Sequence, residues 1–272
     1  MKIACLGPKE SFSEKAALKA FSNSEIVVLP TIRHVIESVE SGKYEFGIVP
    51  LENFYNGIVM QTVDSLTECN KTKIIDEIYL NIKHCIGILP ECKRIDKILS
   101  HQQALEQCAK YLALNYSEAE TTPTESTAGA AKIIKEKNML NAAAIASKSA
   151  LESQGLKILA EDILPNNNTR FGIIGFNLSA KTGKDKLLLS IYPKIDKAGT
   201  LFNILKYFAE ANINIRHIHS RPDGKGKYYF ILEIDGHEKD DNVMKSLSGI
   251  RKYLESEKSV KILGNYPNRA EK

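Results

Sequence analysis

The sequence predicts an α/β fold in two domains, and three observations carry that prediction. Short β-like runs alternate with helical runs through the first 180 residues, the pattern of a parallel or mixed sheet with helices on its faces. Residues 187–265 then read βαββαβ, the ferredoxin-like order. Between the two, the polar stretch "SAKTGKDK" (Ser179–Lys186), with Gly183, separates two apolar runs and marks a boundary. The domains are therefore expected at 1–179 and 187–265.

Taken in order, "KIACL" is an apolar run stopped by Gly7-Pro8, a strand and its turn, with a helix from near Ser13. "EIVVL" leads into the helical "TIRHVIESVESG", and "FGIVP" into "GIVMQTVDSLTE". "IIDEIYLNIKHCIGIL" reads as two extended segments, and "KILS" precedes the helix "QQALEQCAKYLAL". "TESTAGAAKIIKEK" is a helix, "AAAIAS" a strand entering the helix "KSALESQG", and "LKILA" a further strand. "NNNTRF" (Asn166–Phe171) reads as a polar loop ending just before the apolar run "GIIGF". Past the boundary come strand "LLLSIYP", helix "GTLFNILKYFAEAN", strand "INIRHIHS" and turn "RPDGKGK". Strand "YYFILEID", helix "NVMKSLSGIRKYLES" and strand "VKILG" complete the module. Its Pro-Asp-Gly turn supplies the backbone freedom a hairpin needs.

Composition excludes several classes of function. Hydrophobic residues make up 43% and charged residues 26% of the 272, an ordinary balance for a globular protein. The apolar runs fall far short of a membrane span, and the first is too short for a secretory signal. Five cysteines (Cys5, Cys69, Cys85, Cys92, Cys108) form no CxxC pair and read as thiols of a reduced, cytoplasmic chain. His217 and His219 would share one face of a strand, but no third ligand lies nearby in sequence, so no metal is expected. The net charge is +4, with 18 Lys+Arg against 12 Asp+Glu in 181–272 and 19 against 21 in 1–180. No basic stripe with interleaved aromatics occurs, so neither nucleic acid nor membrane is an expected partner.

Neither GxGxxG nor GxxxxGK[ST] is present, which argues against a Rossmann dehydrogenase or a P-loop enzyme. What remains is a set of polar clusters at the carboxyl ends of strands: "GPKESFS", "VPLENFYNG", "SHQQALEQC" and "TESTAG". Taken alone, each is more often a helix cap than a place where helix N–H groups grip an anion. Ligands of open α/β sheets collect outside the carboxyl ends of strands, so several such clusters together mean more than any one. The assembled pocket would be polar, neutral to cationic and suited to a small organic anion.

"GPKESFSEKAA", "VPLENFYNGIVMQTVD", "SHQQALEQCAKYL", "ESTAGAA", "AAIAS" and "NNNTRF", in this order, closely resemble the prephenate dehydratases. "DKAGTLFNILKYFAEANINIRHIHSRP" through "LGNYP" resembles the ACT regulatory domain attached to them. The resemblance covers nearly the whole chain. It implies a catalytic domain with the two-lobed fold of type II periplasmic binding proteins, its active site between the lobes. It also implies the conversion of prephenate to phenylpyruvate, with loss of carbon dioxide and the ring hydroxyl, in phenylalanine biosynthesis. No chorismate mutase bundle precedes the first strand, so the resemblance is to the monofunctional form, which needs no metal or organic cofactor.

The resemblance makes Thr169 the essential threonine, donating a hydrogen bond or proton to the departing hydroxyl, and Arg170 the carboxylate partner. Asn53, Ser100 and Gln107 would bind substrate, with Ser126 and Thr127 nearby; Glu125 stands beside them in the motif. Phe171 would wall the substrate ring or belong to the core, and Asn168 would orient Thr169. Phenylalanine is the implied effector, bound at a dimer interface by Gly199, Thr200 and Leu201 with His219, Ser220, Arg221 and Pro222. A homodimer or homotetramer is implied as well. Three departures stand out: Ala198 and His219 occupy positions where the family usually has proline and glutamate, and Phe54 replaces the serine usual after the Glu-Asn pair. Two other readings remain: arogenate dehydratase, acting on the aminated analogue, and a non-catalytic amino-acid sensor built on the same two domains.

Overall fold

The computed structural model describes residues 1–194, 197–224 and 226–270; Lys225, in the expected Pro-Asp-Gly turn, lies outside them. Two compact units emerge, each discontinuous in sequence. The first comprises Met1–Val35, Ile48–Val59 and Tyr79–Phe171, the second Ile36–Gly47, Met60–Ile78 and Gly172–Lys272.

The chain begins with β1 (Lys2–Leu6), α1 (Phe12–Ala20), β2 (Glu25–Leu29), α2 (Ile32–Glu40), β3 (Phe46–Asn53), β4 (Gly57–Ile58) and α3 (Met60–Glu68). Next come β5 (Lys73–Asn81), β6 (Cys85–Ile88), β7 (Lys97–His101), α4 (Gln102–Gln107), α5 (Ala109–Asn115), β8 (Glu120–Thr124) and α6 (Thr127–Glu136). β9 (Ala142–Ala146), α7 (Lys148–Ser153), β10 (Lys157–Ala160) and β11 (Asn168–Gly175) follow.

In the first unit, β1 lies between β2 and β3, and β11 neighbours β3. A separate sheet runs β10-β6-β9-β7-β8. β9 explains its construction: the run "AAAIA" is buried at every position. Ala142, Ala144 and Ala146 join one apolar cluster with Leu151 and Ile134, while Ala143 and Ile145 join another with Ile86 and Leu112. That alternation follows from the two-residue period of a strand. Serines after strands start the helices: Ser11, Ser126 and Ser147 each accept an N–H three residues on, the N-cap contact that relieves an orphan helix donor.

The sequence missed three features of this unit. β8, "ETTPT", pairs in parallel with β7; it is a sheet edge, where Pro123 costs no ladder bond. The expected helix over 102–114 is two helices, because Cys108 leaves helical geometry with ψ 0. "GIVMQTVDSLTE" begins with the short strand β4, since Asn53 and Gly57 pair across a tight turn, and the helix starts only at Met60.

In the second unit the elements are β12 (Asp185–Ile191), α8 (Thr200–Glu210), β13 (Ile215–Pro222), β14 (Tyr228–Asp235), α9 (Asp241–Tyr253), a 3-10 turn (Glu257–Ser259) and β15 (Val260–Pro267). Their spatial order, β13-β14-β12-β15, is the one the βαββαβ pattern predicts. Leu187, Leu189 and Ile191 of β12 face the helices and pack with Ile204, Phe208, Val243 and Leu247. β15 also pairs with β5, Gly264 opposite Ile74. No helix among the described residues is long and apolar enough to cross a membrane, and all five cysteines are free thiols.

Candidate active site

β3 and β11 are neighbours in the sheet, and their ends bring Asn53 to Thr169. "TRF" is therefore not the tail of a loop: β11 starts at Asn168. Asn166 takes a left-handed φ of 61°, a conformation asparagine tolerates well, and so turns the chain into the strand. Asn53 Nδ2 donates to Thr169 Oγ1 at 3.0 Å and to Asn167 Oδ1 at 3.0 Å. Its Oδ1 accepts from the Tyr55 and Asn56 N–H groups, at 3.0 and 3.3 Å, the bonding of an Asx turn. Gln107, the last residue of α4, donates to Asn53 Oδ1 at 2.9 Å and to Asn56 Oδ1 at 2.6 Å. Asn167 Nδ2 approaches Gln107 Oε1 at 3.4 Å. Asn53, Asn167 and Thr169 are all buried, and all these residues belong to the first unit.

The cluster contains no charge of its own. Nearby, His84 is 3% exposed and meets the edge of the Phe12 ring at 5.6 Å. Burial pushes its pKa down to about 4, against smaller opposing effects of Gln107 and Asp162, so it is neutral at physiological pH. An uncharged amide cage around a hydroxyl can orient it and stabilise charge developing next to it.

Arg170 departs from expectation. It is buried and its Nε lies 2.9 Å from Glu52 Oε2. Side chains alternate along a strand, so it leaves β11 on the face opposite Thr169. The expected carboxylate contact is, in this structure, an ion pair with Glu52. Phe171 is 2% exposed and belongs to the apolar core. Ser100 is fully buried, and its hydroxyl donates to the Ile145 carbonyl at 2.6 Å, so it does not join the amide cluster. Ser126 caps α6 by accepting from Gly129 N at 3.0 Å, with Thr127 as the first helical residue and Glu125 exposed. Asn167 rather than Asn168 shares the Asn53 amide with Thr169, and the Asn168 carbonyl instead accepts the Phe54 N–H at 2.9 Å. Phe54 itself is 71% exposed beside Asn53.

Sequence reasoning missed Asn56 and Asn167. The asparagine run was the available signal for Asn167, but it does not say which of three amides turns inward.

The second unit holds the other candidate site. Gly199 caps α8 with φ 86°, a conformation a side chain makes costly. Beside it is a cavity of about 350 Å³, lined by Gly199, Thr200, Leu201 and Ser220 with the rings of Phe202, Tyr228 and Phe230. Alternation along β13 separates the rest: His219 and Arg221 leave the strand on the face opposite Ser220 and Pro222. Arg221 makes an ion pair with Asp64 of α3. Tyr229 donates to the same carboxylate at 2.8 Å and stacks on Tyr192 at 4.5 Å. Burial foremost, and then the Asp64 carboxylate, push the Tyr229 phenol up to about 12.

The comparisons agree with this geometry. Residues 3–178 match the family model described as prephenate dehydratase, and residues 194–251 match that of the ACT domain. A bifunctional chorismate mutase/prephenate dehydratase of Stutzerimonas stutzeri is 37% identical over 98% of this chain and 73% of its own length. The prephenate dehydratase of Lactococcus lactis subsp. cremoris is 34% identical over 98% of this chain and 97% of its own. The crystal structure of prephenate dehydratase from Arthrobacter aurescens in complex with L-Phe superposes with a TM-score of 0.90 at 28% identity, over all of this chain and 91% of that one. An α/β fold ending in a βαββαβ module, an amide-caged threonine and near full-length relatives converge: the chain belongs to the prephenate dehydratase family and carries an ACT domain.

Proposed function

We propose that the chain acts as a carbon–oxygen lyase on prephenate, with Thr169 at the reacting hydroxyl and the amides of Asn53, Gln107 and Asn167 holding it in place. The supporting observation is the 3.0 Å bond from Asn53 to Thr169 inside a buried, uncharged cluster. The reaction asks little of an acid. The electron pair of the breaking bond to the ring carboxylate enters the ring as carbon dioxide leaves, and the ring expels the hydroxyl, which departs as water once it takes a proton. Aromatisation drives the step, so positioning and stabilisation of the developing hydroxide carry most of the catalysis. The hydroxyls and N–H groups of Ser126 and Thr127 at the start of α6 suit a substrate carboxylate. Prephenate turnover, followed as phenylpyruvate absorbance in alkali with arogenate in parallel, tests the reading. Conversion of neither substrate overturns it, and a preference for arogenate reassigns the substrate.

The ion pair with Glu52 supports a structural role for Arg170. Arg170→Lys is expected to lower the thermal midpoint by roughly 5 °C, with KM for prephenate within about threefold of wild type. A tenfold rise in KM at unchanged stability would instead put the guanidinium on the substrate.

The domain division is placed at 1–179 and 187–265, in keeping with the two family matches. Phenylalanine is the proposed ligand of the cavity beside Gly199, whose backbone would meet the carboxylate while Phe202, Tyr228 and Phe230 meet the ring. Calorimetric titration is expected to show binding that inhibits turnover. Gly199→Val should abolish both, because a β-branched residue is strained at φ 86°. Inhibition surviving that change would move the effector elsewhere.

A further inference from the structure

The three amides beside Thr169 have a determined orientation, and backbone groups set it. An Asn or Gln side chain has nearly the same shape turned end for end, so its partners decide which end is oxygen. Backbone N–H groups can only donate, and those of Tyr55 and Asn56 meet one atom of the Asn53 side chain, at 3.0 and 3.3 Å. That atom is therefore Oδ1, and the two amide N–H bonds of Asn53 go to Thr169 Oγ1 and to Asn167. Asn167 must meet that N–H with Oδ1, which leaves its Nδ2 facing Gln107 Oε1 at 3.4 Å. Gln107 then presents Nε2 to Asn53 Oδ1 at 2.9 Å, the same acceptor that the backbone had fixed. No donor faces a donor. The result is a closed ring in which Asn53 donates to Asn167, Asn167 to Gln107 and Gln107 to Asn53.

We propose that Asn167 is a positioning residue for the reaction at Thr169: it closes the amide ring, and the closed ring holds Asn53 with one N–H aimed at the threonine oxygen. Asn167 has no exposed surface, so it acts through Asn53 and Gln107 and never meets substrate. Its own place is fixed by the backbone. Its carbonyl accepts the Ile82 N–H at 2.6 Å, and the next carbonyl, of Asn168, accepts the Phe54 N–H at 2.9 Å. Bonds that run one way around a ring polarise one another, so opening the ring at Asn167 loosens the grip on the hydroxyl. The closed ring also changes the part played by Gln107. Both of its N–H bonds are committed, to Asn53 Oδ1 and Asn56 Oδ1, and its oxygen faces Asn167. Gln107 therefore serves the hydroxyl and not the substrate, and the proton left to give is that of Thr169.

This role for Asn167 rests on the reading of Thr169 as the reacting group, and three measurements keep the two apart. The first is prephenate kinetics, with thermal midpoints, of Asn167→Leu and Gln107→Met, which keep the size of each side chain and remove its hydrogen bonds. Both are expected to lower kcat about 10- to 100-fold with KM within about threefold. Gln107→Met opens the ring from its half-buried side, so the test stands even if Asn167→Leu does not fold. Near wild-type kcat in either folded variant overturns the ring, as does a rise of about tenfold in KM for Gln107→Met, which would put that amide on the substrate. The second measurement places Gln107→Met, and Asn167→Leu where it folds, on a Thr169→Ala background. There the ring has no hydroxyl to hold, and the further loss should shrink below about threefold. An undiminished further loss overturns the positioning role. The third uses the wild-type protein without substrate: ¹⁵N NMR of the side-chain amides should show the N–H groups of Asn53, Asn167 and Gln107 exchanging with water at least about tenfold more slowly than exposed amides. Fast exchange at Gln107 or Asn167 overturns the ring whatever the substrate proves to be, while absence of prephenate turnover in wild type would overturn the reaction and leave the exchange result standing.

Discussion

Thr169→Ala is expected to lower kcat for prephenate by two to four orders of magnitude with the fold intact. A positioned proton donor contributes about 10²- to 10⁴-fold, which corresponds to roughly 3–5 kcal/mol of barrier. Threonine is a feeble acid in water, so the size of the effect depends on its surroundings. Here the residue is buried, 8% exposed, and its hydroxyl receives the Asn53 N–H at 3.0 Å, which favours donation of its own proton to an oxygen gaining charge. The cost to the fold is small by comparison. Removing the hydroxyl leaves one Asn53 N–H without that partner, about 1 kcal/mol, while its second N–H still reaches Asn167. Thr169→Ser, which keeps the hydroxyl, should retain activity within about tenfold. Steady-state kinetics alongside a thermal melt distinguish these outcomes. Near-normal turnover in folded Thr169→Ala would remove Thr169 from the reaction.

The second large effect concerns stability. Lys186→Met is expected to destabilise the protein by about 3–5 kcal/mol, seen as a fall of roughly 10 °C in the thermal midpoint. Lys186 Nζ lies 2.6 Å from Glu77 Oε2, with side-chain exposures of 2% and 0%. A buried pair of this kind adds little over an apolar replacement, but breaking it strands the surviving charge. After the substitution Glu77 keeps the Arg269 N–H at 2.8 Å, which cannot neutralise a carboxylate. Adding Glu77→Leu on the same background should recover most of the loss, because it removes the stranded group. A double variant no more stable than Lys186→Met would show that the cost is one of packing instead.

Much of the architecture was legible because local rules and tertiary structure agree. Strand–helix alternation, serine caps after strands and the βαββαβ order of the last third are encoded by periodicity and turn chemistry, which act over a few residues. Pattern failed where distant partners decide. "ETTPT" looks like a poor strand and becomes one because β7 offers an edge. "QQALEQCAKYLAL" has unbroken helical character, yet the chain breaks at Cys108, just after Gln107 is drawn to Asn53 and Asn56. Asn53, Gln107 and Thr169 were all singled out from sequence, and they do meet. Ser100 was singled out too, but its hydroxyl is spent on Ile145.

Sequence alone determined the residue types of the candidate sites: a threonine, a set of neutral amides, and a glycine at the start of α8. It did so because these chemistries sit in motifs that are read without coordinates. Only the tertiary structure decided which way each side chain turns. Strand alternation sends Arg170 to Glu52 and Arg221 to Asp64, away from the faces carrying Thr169 and Ser220. The packing that buries His84 against Phe12 likewise joins residues far apart in the chain. Periodicity records that side chains alternate, but which face meets a partner depends on neighbours brought from elsewhere, and that information exists only in the fold.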